Sequence, residues 1–197
     1  MVNAKVQSLT PRLRNAAATR AAILEAAKAR FIEESYDRVG VRQIAGDAGV
    51  DAALISRYFG SKEELFAEVL ASSTSDPMDI ISGPRHEFGV RLATAFFDPT
   101  HKSQQESFDF INLAARSTMS PVAGQKMRQH IESCYVAPFT RWLGDAGATD
   151  KAWLTASVLM GVALMRNIVC GPGATPSEKC DSINQLARTL QAIVDAG

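Results

Sequence analysis

Cysteine is scarce in this chain, and the three that occur, Cys134, Cys170 and Cys180, are odd in number and fall in no CxxC or Cys/His ligand spacing. That argues against a zinc site and against a disulfide framework, and leaves packing as their ordinary role. Nothing beside them in the sequence forms a distinctive thiolate-stabilising cluster. Histidine is as sparse: His86, His101 and His130 have no spaced acidic or cysteine partner of the kind that metal or nucleophilic chemistry needs. A glycine-rich phosphate loop is missing as well. No catalytic residue, metal or cofactor is expected. Long apolar runs are also lacking, because the most apolar stretch, Trp153 to Met165, contains Thr155 and Ser157 and stops at Arg166, well short of a membrane span. No secretory apolar segment follows Met1. A cytoplasmic protein with no membrane partner is the expectation.

Net charge is lacking too, at zero over 197 residues, but it is unevenly spread. From Met1 to Arg20 there are four basic residues, Lys5, Arg12, Arg14 and Arg20, and no acidic one, whereas from Ala71 onward 11 Lys and Arg face 12 Asp and Glu. Positive charge therefore gathers toward the N-terminus, where a polyanion would be met. The apolar fraction of 46% suffices for a packed core, and the length allows one small module plus one larger domain.

What is present is a motif from Val41 to Leu65, VRQIAGDAGVDAALISRYFGSKEEL. Val41, Ile44, Ala45 and Ala48 fall on one helical stripe, Gly49 supplies a left-handed residue to end that helix, and Asp51 offers a carboxylate to cap the next. Across this short turn Leu54, Ile55 and Phe59 point to a small core. Ala52, Ala53, Ser56 and Arg57 lie on another face, free to enter a major groove. Upstream, Thr19 is expected to cap a helix carrying Ile23, Leu24, Ala27 and Phe31, closing a three-helix unit. Downstream, Ser61 and Glu64 form an S-x-x-E capping box, so a further helix begins at Lys62 with Leu65, Phe66, Val69 and Leu70 packing back.

The segments IAGDAGV (Ile44 to Val50), Tyr58-Phe59 and GSKEELF (Gly60 to Phe66), with the order of the four helices, resemble the tetracycline-repressor (TetR) family of one-component transcriptional regulators. The motif-level match covers roughly the first third of the chain. Gly40 stands where that family usually caps its second helix with Thr or Ser, Ser35 where it usually turns on Gly, and Ser56 where a phosphate-contacting Tyr is frequent. The resemblance implies that Arg42 contacts a base, that Ala52 and Ala53 begin the groove-facing helix, and that Tyr58 and Lys62 anchor the DNA backbone. By chemistry, Arg42 and Gln43 suit base edges or phosphate, and Arg57 either. A solvated surface charge is the alternative for Arg42 and Arg57, and within this motif the DNA role is the preferred reading.

After Ala71 the sequence SSTSDPMD and then Ser82-Gly83-Pro84 break periodicity, and five helices follow at roughly 85–97, 103–118, 121–145, 150–170 and 177–195. Pro138 predicts a kink between Cys134 and Pro138. The expected fold is all-α: a basic flexible arm over 1–18 that either reaches a groove or simply frays, a helix-turn-helix DNA-binding domain with its connecting helix over 19–72, and a helical ligand-binding and dimerisation domain over 73–197. Ala156 to Val169 is apolar nearly all round, and the last helix carries Ile183, Leu186, Ala187, Leu190, Ile193 and Val194. A homodimer interface is read at Gly161, Arg166, Leu186, Leu190 and Ile193, with plain monomer core as the alternative.

Bulky residues at helical spacing give the candidate lining of a pocket for a small, largely apolar effector: Phe96, Phe108, Tyr135, Phe139, Trp142 and Met165, with Asn112 and Arg116 to orient a polar group. The implied function is a regulator, by resemblance a repressor, that binds a palindromic operator in double-stranded DNA as a homodimer and responds to a small-molecule effector. Other readings are a helix-turn-helix protein whose effector site is vestigial or based on thiol redox chemistry, a module for protein association, and a small helical enzyme.

Overall fold

The computed structural model describes residues 11–74, 81–97, 103–170 and 179–196, with side chains over 15–74, 81–97, 109–165 and 183–196. Over those residues every regular element is helical. Helix α1 spans Pro11–Glu33. Proline suits a helix start, since its fixed φ is already helical and its missing N–H would have had no partner. This moves the expected boundary: Thr19 does not cap α1 but lies inside it, its hydroxyl donating to the Asn15 carbonyl at 2.8 Å. The alanines at 16, 17 and 18 carry the helix upstream through positions where a cap had been expected. Of the expected arm, residues 1–10 lie outside the described residues.

Helices α2 (Val41–Asp47) and α3 (Ala52–Phe59) meet at the turn foreseen from Gly49. Gly49 takes φ 65°. The Val50 N–H reaches the Ala45 carbonyl at 2.9 Å and the Gly49 N–H the Gly46 carbonyl at 3.1 Å, a Schellman closure that satisfies two carbonyls at the end of α2. Helix α4 (Lys62–Ser72) follows Gly60, at φ 80°, and the Ser61 cap, whose hydroxyl oxygen accepts from the Glu64 N–H at 3.2 Å. Only half of the expected capping box forms between that pair. The Glu64 carboxylate instead takes the Lys126 ammonium at 2.7 Å.

The larger part contains α5 (Phe88–Phe97), α6 (Ser103–Ser117), α7 (Pro121–Ile131), α8 (Ala137–Leu143), α9 (Ala148–Cys170) and α10 (Lys179–Asp195). Between α7 and α8 the chain stays helical through a π turn, Glu132–Val136, with the Ala137 N–H reaching back to the Glu132 carbonyl. The interruption falls where Pro138 cannot donate a bond, so the disturbance expected there takes the form of a π bulge.

Two cores hold the molecule. The first joins Ile23, Ala27 and Phe31 of α1, Ile44 and Ala45 of α2, Ile55 and Phe59 of α3 and the inner face of α4, and it continues into Leu113, Ala123 and Met127 of α6 and α7. Phe31, Tyr36 and Phe66 pack ring against ring within it, centroids 5.0–5.7 Å apart. The second lies wholly in the larger part, with Phe88 5.3 Å from Phe139 and 5.2 Å from Trp142. There α5 lies so close along α10 that a Cβ on Gly89 would stand 2.1 Å from the Ala187 carbonyl oxygen.

The last helix corrects one expectation. Leu186 (6% exposed) and Leu190 (0%) are covered by α5 and their own chain, so they are core residues and offer no free dimer surface. Ile193 is half-buried, Gly161 is exposed, and the Arg166 side chain lies outside the described residues. The apolar surface left open is instead on α9, where Leu154 (52%), Leu164 (41%) and Met165 (56%) share a stripe with Ser157 and Gly161.

Candidate nucleic-acid interface

The sequence places α3 outward by a simple partition. Ile55 and Phe59 are driven into the first core, Ala52, Leu54 and Tyr58 rest half-buried against it, and Ala53, Ser56 and Arg57 are left exposed. The Asp51 carboxylate holds the start of the helix by accepting from the Ala53 N–H at 2.7 Å. On α2, Arg42 and Gln43 are both exposed. Gln43 is engaged, its Oε1 accepting from the Gly40 N–H at 2.7 Å, the half of a capping box that does not need a side chain on the cap residue.

Cations in this region sort into three kinds. Arg20 pairs with Glu68, Lys28 with Asp109 at 2.7 Å, and Arg30 with Glu34 and, through two nitrogens, Asp47. These tie α1 to its neighbours, and the Arg30 guanidinium holds the Asp47 carboxyl below the usual carboxylate range. Arg38, Arg42 and Arg57 are exposed and form no ion pair among the described residues. Lys62 has a third environment, its ammonium 4.1 Å from the centre of the Tyr36 ring, where partial burial lowers its pKa against the raising pull of Asp37 and Glu63. The sequence reading missed Arg38. Its signal was available, since it precedes Arg42 by four residues.

A surface with small side chains at its centre, guanidinium groups around it and no carboxylate paired to them can approach phosphate ribbons closely and offer forked donors to base edges. Helix α4 links this surface to the rest of the chain. Lys126 of α7 binds Glu64, Ser120 donates to the Asp37 carboxylate at 3.0 Å, and the Arg116 Nε donates to the Ile32 carbonyl at 2.6 Å. At the far end of α4, Thr74 Oγ1 lies 3.1 Å from His130 Nε2.

None of the expected pocket residues lines the groove described below. Phe139 is fully buried in the second core with Trp142 beside it, Phe96 packs edge-on to Phe97, and Met165 points outward. Arg116 joins the two parts of the chain by capping a carbonyl at the end of α1. Asn112 is half-buried, and the Phe108 side chain lies outside the described residues. The Tyr135 hydroxyl is enclosed beside Thr155, and burial raises its pKa. A separate groove of about 380 Å³ opens between α6, α7 and α9, lined by Ala114, Ser117, Thr118, Gly124, Met127, Arg128, Ile131 and Trp153. The cysteines also need correction, because Cys134 Sγ lies 3.6 Å from His130 Nδ1. The i, i+4 spacing of that pair was legible in the sequence and was overlooked.

Comparison with known proteins decides the lineage of this arrangement. Residues 23–69 match the family model described as bacterial regulatory proteins, tetR family, and residues 86–194 match one described as tetracyclin repressor-like, C-terminal domain. The chain belongs to the TetR family. As a TetR-family protein it is a DNA-binding transcription regulator and not an enzyme.

Solved structures agree in fold. A TetR-family regulator from Streptomyces coelicolor A3 is 24% identical with a TM-score of 0.56, over 90% of this chain and 95% of that one. NalD of Pseudomonas aeruginosa, the secondary repressor of the MexAB-OprM multidrug efflux pump, is 16% identical with a TM-score of 0.60, over 91% and 96%. The multidrug binding protein EbrR, complexed with imidazole, is 14% identical with a TM-score of 0.65, over 100% and 99%. No helix among the described residues is long and apolar enough to cross a membrane.

Proposed function

We propose that this TetR-family regulator acts in the cytoplasm as a repressor, binding a palindromic operator as a homodimer and leaving it when a small-molecule effector occupies the larger domain. The observation that carries the DNA half of this reading is the split among cations: those that build the fold are paired with carboxylates, while Arg38, Arg42 and Arg57, in the segment of the helix-turn-helix, are exposed and form no ion pair among the described residues. Ala53, Ser56 and Arg57 enter the major groove, Arg42 and Gln43 flank it, and Ala52, Tyr58 and Lys62 support the approach. A single α3 reads one half-site, so a palindrome calls for two copies. The stripe of Leu154, Gly161, Leu164 and Met165 on α9 supplies an apolar face for that pairing, packing alongside the partner's copy in a helical bundle.

The effector reading draws on the groove beside α7 and on a repressor and a multidrug binding protein among the structural relatives. Response requires little energy, since tenfold release takes about 1.4 kcal/mol of preference for the form that cannot hold DNA.

Selection of bound duplexes from a random pool tests the whole reading. A recovered palindrome is the expected result, with affinity falling steeply with salt. Arg57→Ala is expected to cost roughly 1–3 kcal/mol on the recovered site. Enrichment of no duplex at all, or equal affinity in the Arg57 variant, would count against it.

A further inference from the structure

The groove between α6, α7 and α9 has a composition that selects its ligand. Trp153 is half-buried and presents an indole to the groove, and Met127 and Ile131 add apolar surface. Its two hydroxyls have already spent their protons: Ser117 Oγ donates to the Leu113 carbonyl at 2.6 Å and Thr118 Oγ1 to the Ala115 carbonyl at 2.7 Å. Among the lining side chains, that leaves the Arg128 guanidinium and the Trp153 indole N–H as donors without an acceptor among the described residues, and only the guanidinium carries a charge. Arg128 is exposed and bonds to no acceptor among the described residues, and Glu132, one turn further along the helix, forms no ion pair with it. Gly124 leaves the floor open, since a Cβ there would meet only the Ser117 carbonyl oxygen, at 3.4 Å.

We infer that this groove binds a small planar aromatic carboxylate, its rings against Trp153 and its carboxylate on the Arg128 guanidinium. An aromatic face stacks on indole, and a carboxylate accepts the paired N–H bonds that a guanidinium fork presents. A neutral ring would leave that fork without an acceptor, and a cation would be repelled by it. The volume falls within the range of small-molecule sites.

The inference rests on the effector reading above and sharpens it, because α7 forms both the groove and the joint with the DNA-binding part. Met127 lines the groove and also lies in the first core, Lys126 holds Glu64 of α4, and His130 meets Thr74 at the end of α4. A ligand wedged beside Met127 and Arg128 therefore bears on the helix that positions α4.

The test titrates the full chain with 2-naphthoate, 2-naphthamide and 2-naphthylmethylammonium, following heat of binding and tryptophan emission, with Trp153→Phe to assign the signal. Naphthoate is expected to bind about tenfold or more tighter than the amide, a difference of about 1.4 kcal/mol, with the ammonium weakest. Arg128→Gln, at an exposed site, should bring acid and amide to similar affinity, and Gly124→Leu should weaken both by filling the groove. Equal binding of acid and amide to the unaltered protein, or an acid preference surviving in Arg128→Gln, would overturn the inference. Trp153 emission that follows protein concentration and ignores naphthoate would give the groove to a second copy of the chain and also overturn it. Operator affinity measured in parallel separates the two levels. Naphthoate binding that leaves DNA affinity unchanged sustains the site and sinks the effector reading, whereas DNA release by the amide alone sinks the ligand class and sustains that reading.

Discussion

The two hydrophobic cores differ in where their residues come from. The core of the larger part is built from α5, α8, α9, α10 and neighbouring residues of that same part, whereas the core beneath the DNA-binding face is completed by Leu113, Ala123 and Met127 from across the boundary. The DNA-binding unit is therefore no free module hung on a linker. Its shape depends on α6 and α7, so anything that shifts those helices reaches α3 through packed side chains, without needing a flexible hinge. The polar contacts at the joint, Lys28 with Asp109, Arg116 with the Ile32 carbonyl and Ser120 with Asp37, fix the angle at which that packing occurs.

Breaking each core should therefore have different consequences. Phe88→Ala, at a fully buried ring packed on Phe139 and Trp142, is expected to cost about 4 kcal/mol in a denaturant titration and to change Trp142 emission. Met127→Ala removes a long apolar side chain from the shared core. It should cost about 3 kcal/mol and also weaken operator binding, which Phe88→Ala at a concentration of folded protein matched to the parent should not. Lys28→Met leaves the Asp109 carboxylate, 7% exposed, without its ammonium partner at the same joint, for about 2 kcal/mol. If Met127→Ala and Phe88→Ala affect DNA binding alike, the distinction between a shared and a self-contained core fails.

Much of this was legible in the chain, and the failures share a cause. Gly49, Asp51, Gly60 and Ser61 act locally, so their turns and caps could be read directly, as could the span of α4. Thr19 misled because an alanine run extends a helix past any cap-forming residue that follows it. Leu186 and Leu190 show that periodicity identifies an apolar face without naming what covers it: α5 does so, admitted by Gly89. Bulk does not tell a pocket lining from core, since a large side chain such as Phe139 fills space in either. The groove lies where Ala114, Ser117 and Gly124 leave it unfilled, and small residues carry no signal of a void until their neighbours are known.

The weakest expected effect concerns the joint at the end of α4, and its sign follows from hydrogen-bond roles. The Thr74 hydroxyl donates to the Leu70 carbonyl at 3.2 Å, so its oxygen accepts from His130 Nε2–H at 3.1 Å, which leaves Nδ1 as the acceptor facing Cys134. No carboxylate pairs with the ring among the described residues, Phe110 packs beside it with centroids 5.9 Å apart, and burial lowers the His130 pKa. A histidine held neutral by the fold takes up its proton in the unfolded chain first. Stability contributed by this group is therefore intact above the ordinary histidine pKa and declines as pH falls from about 7 through the lowered folded value, below which the loss stops growing. Thermal melts between about pH 7.5 and 5.5 should show a decline that His130→Gln flattens, worth less than about 1 kcal/mol for a half-buried ring. The same slope in parent and variant would place the titrating group elsewhere.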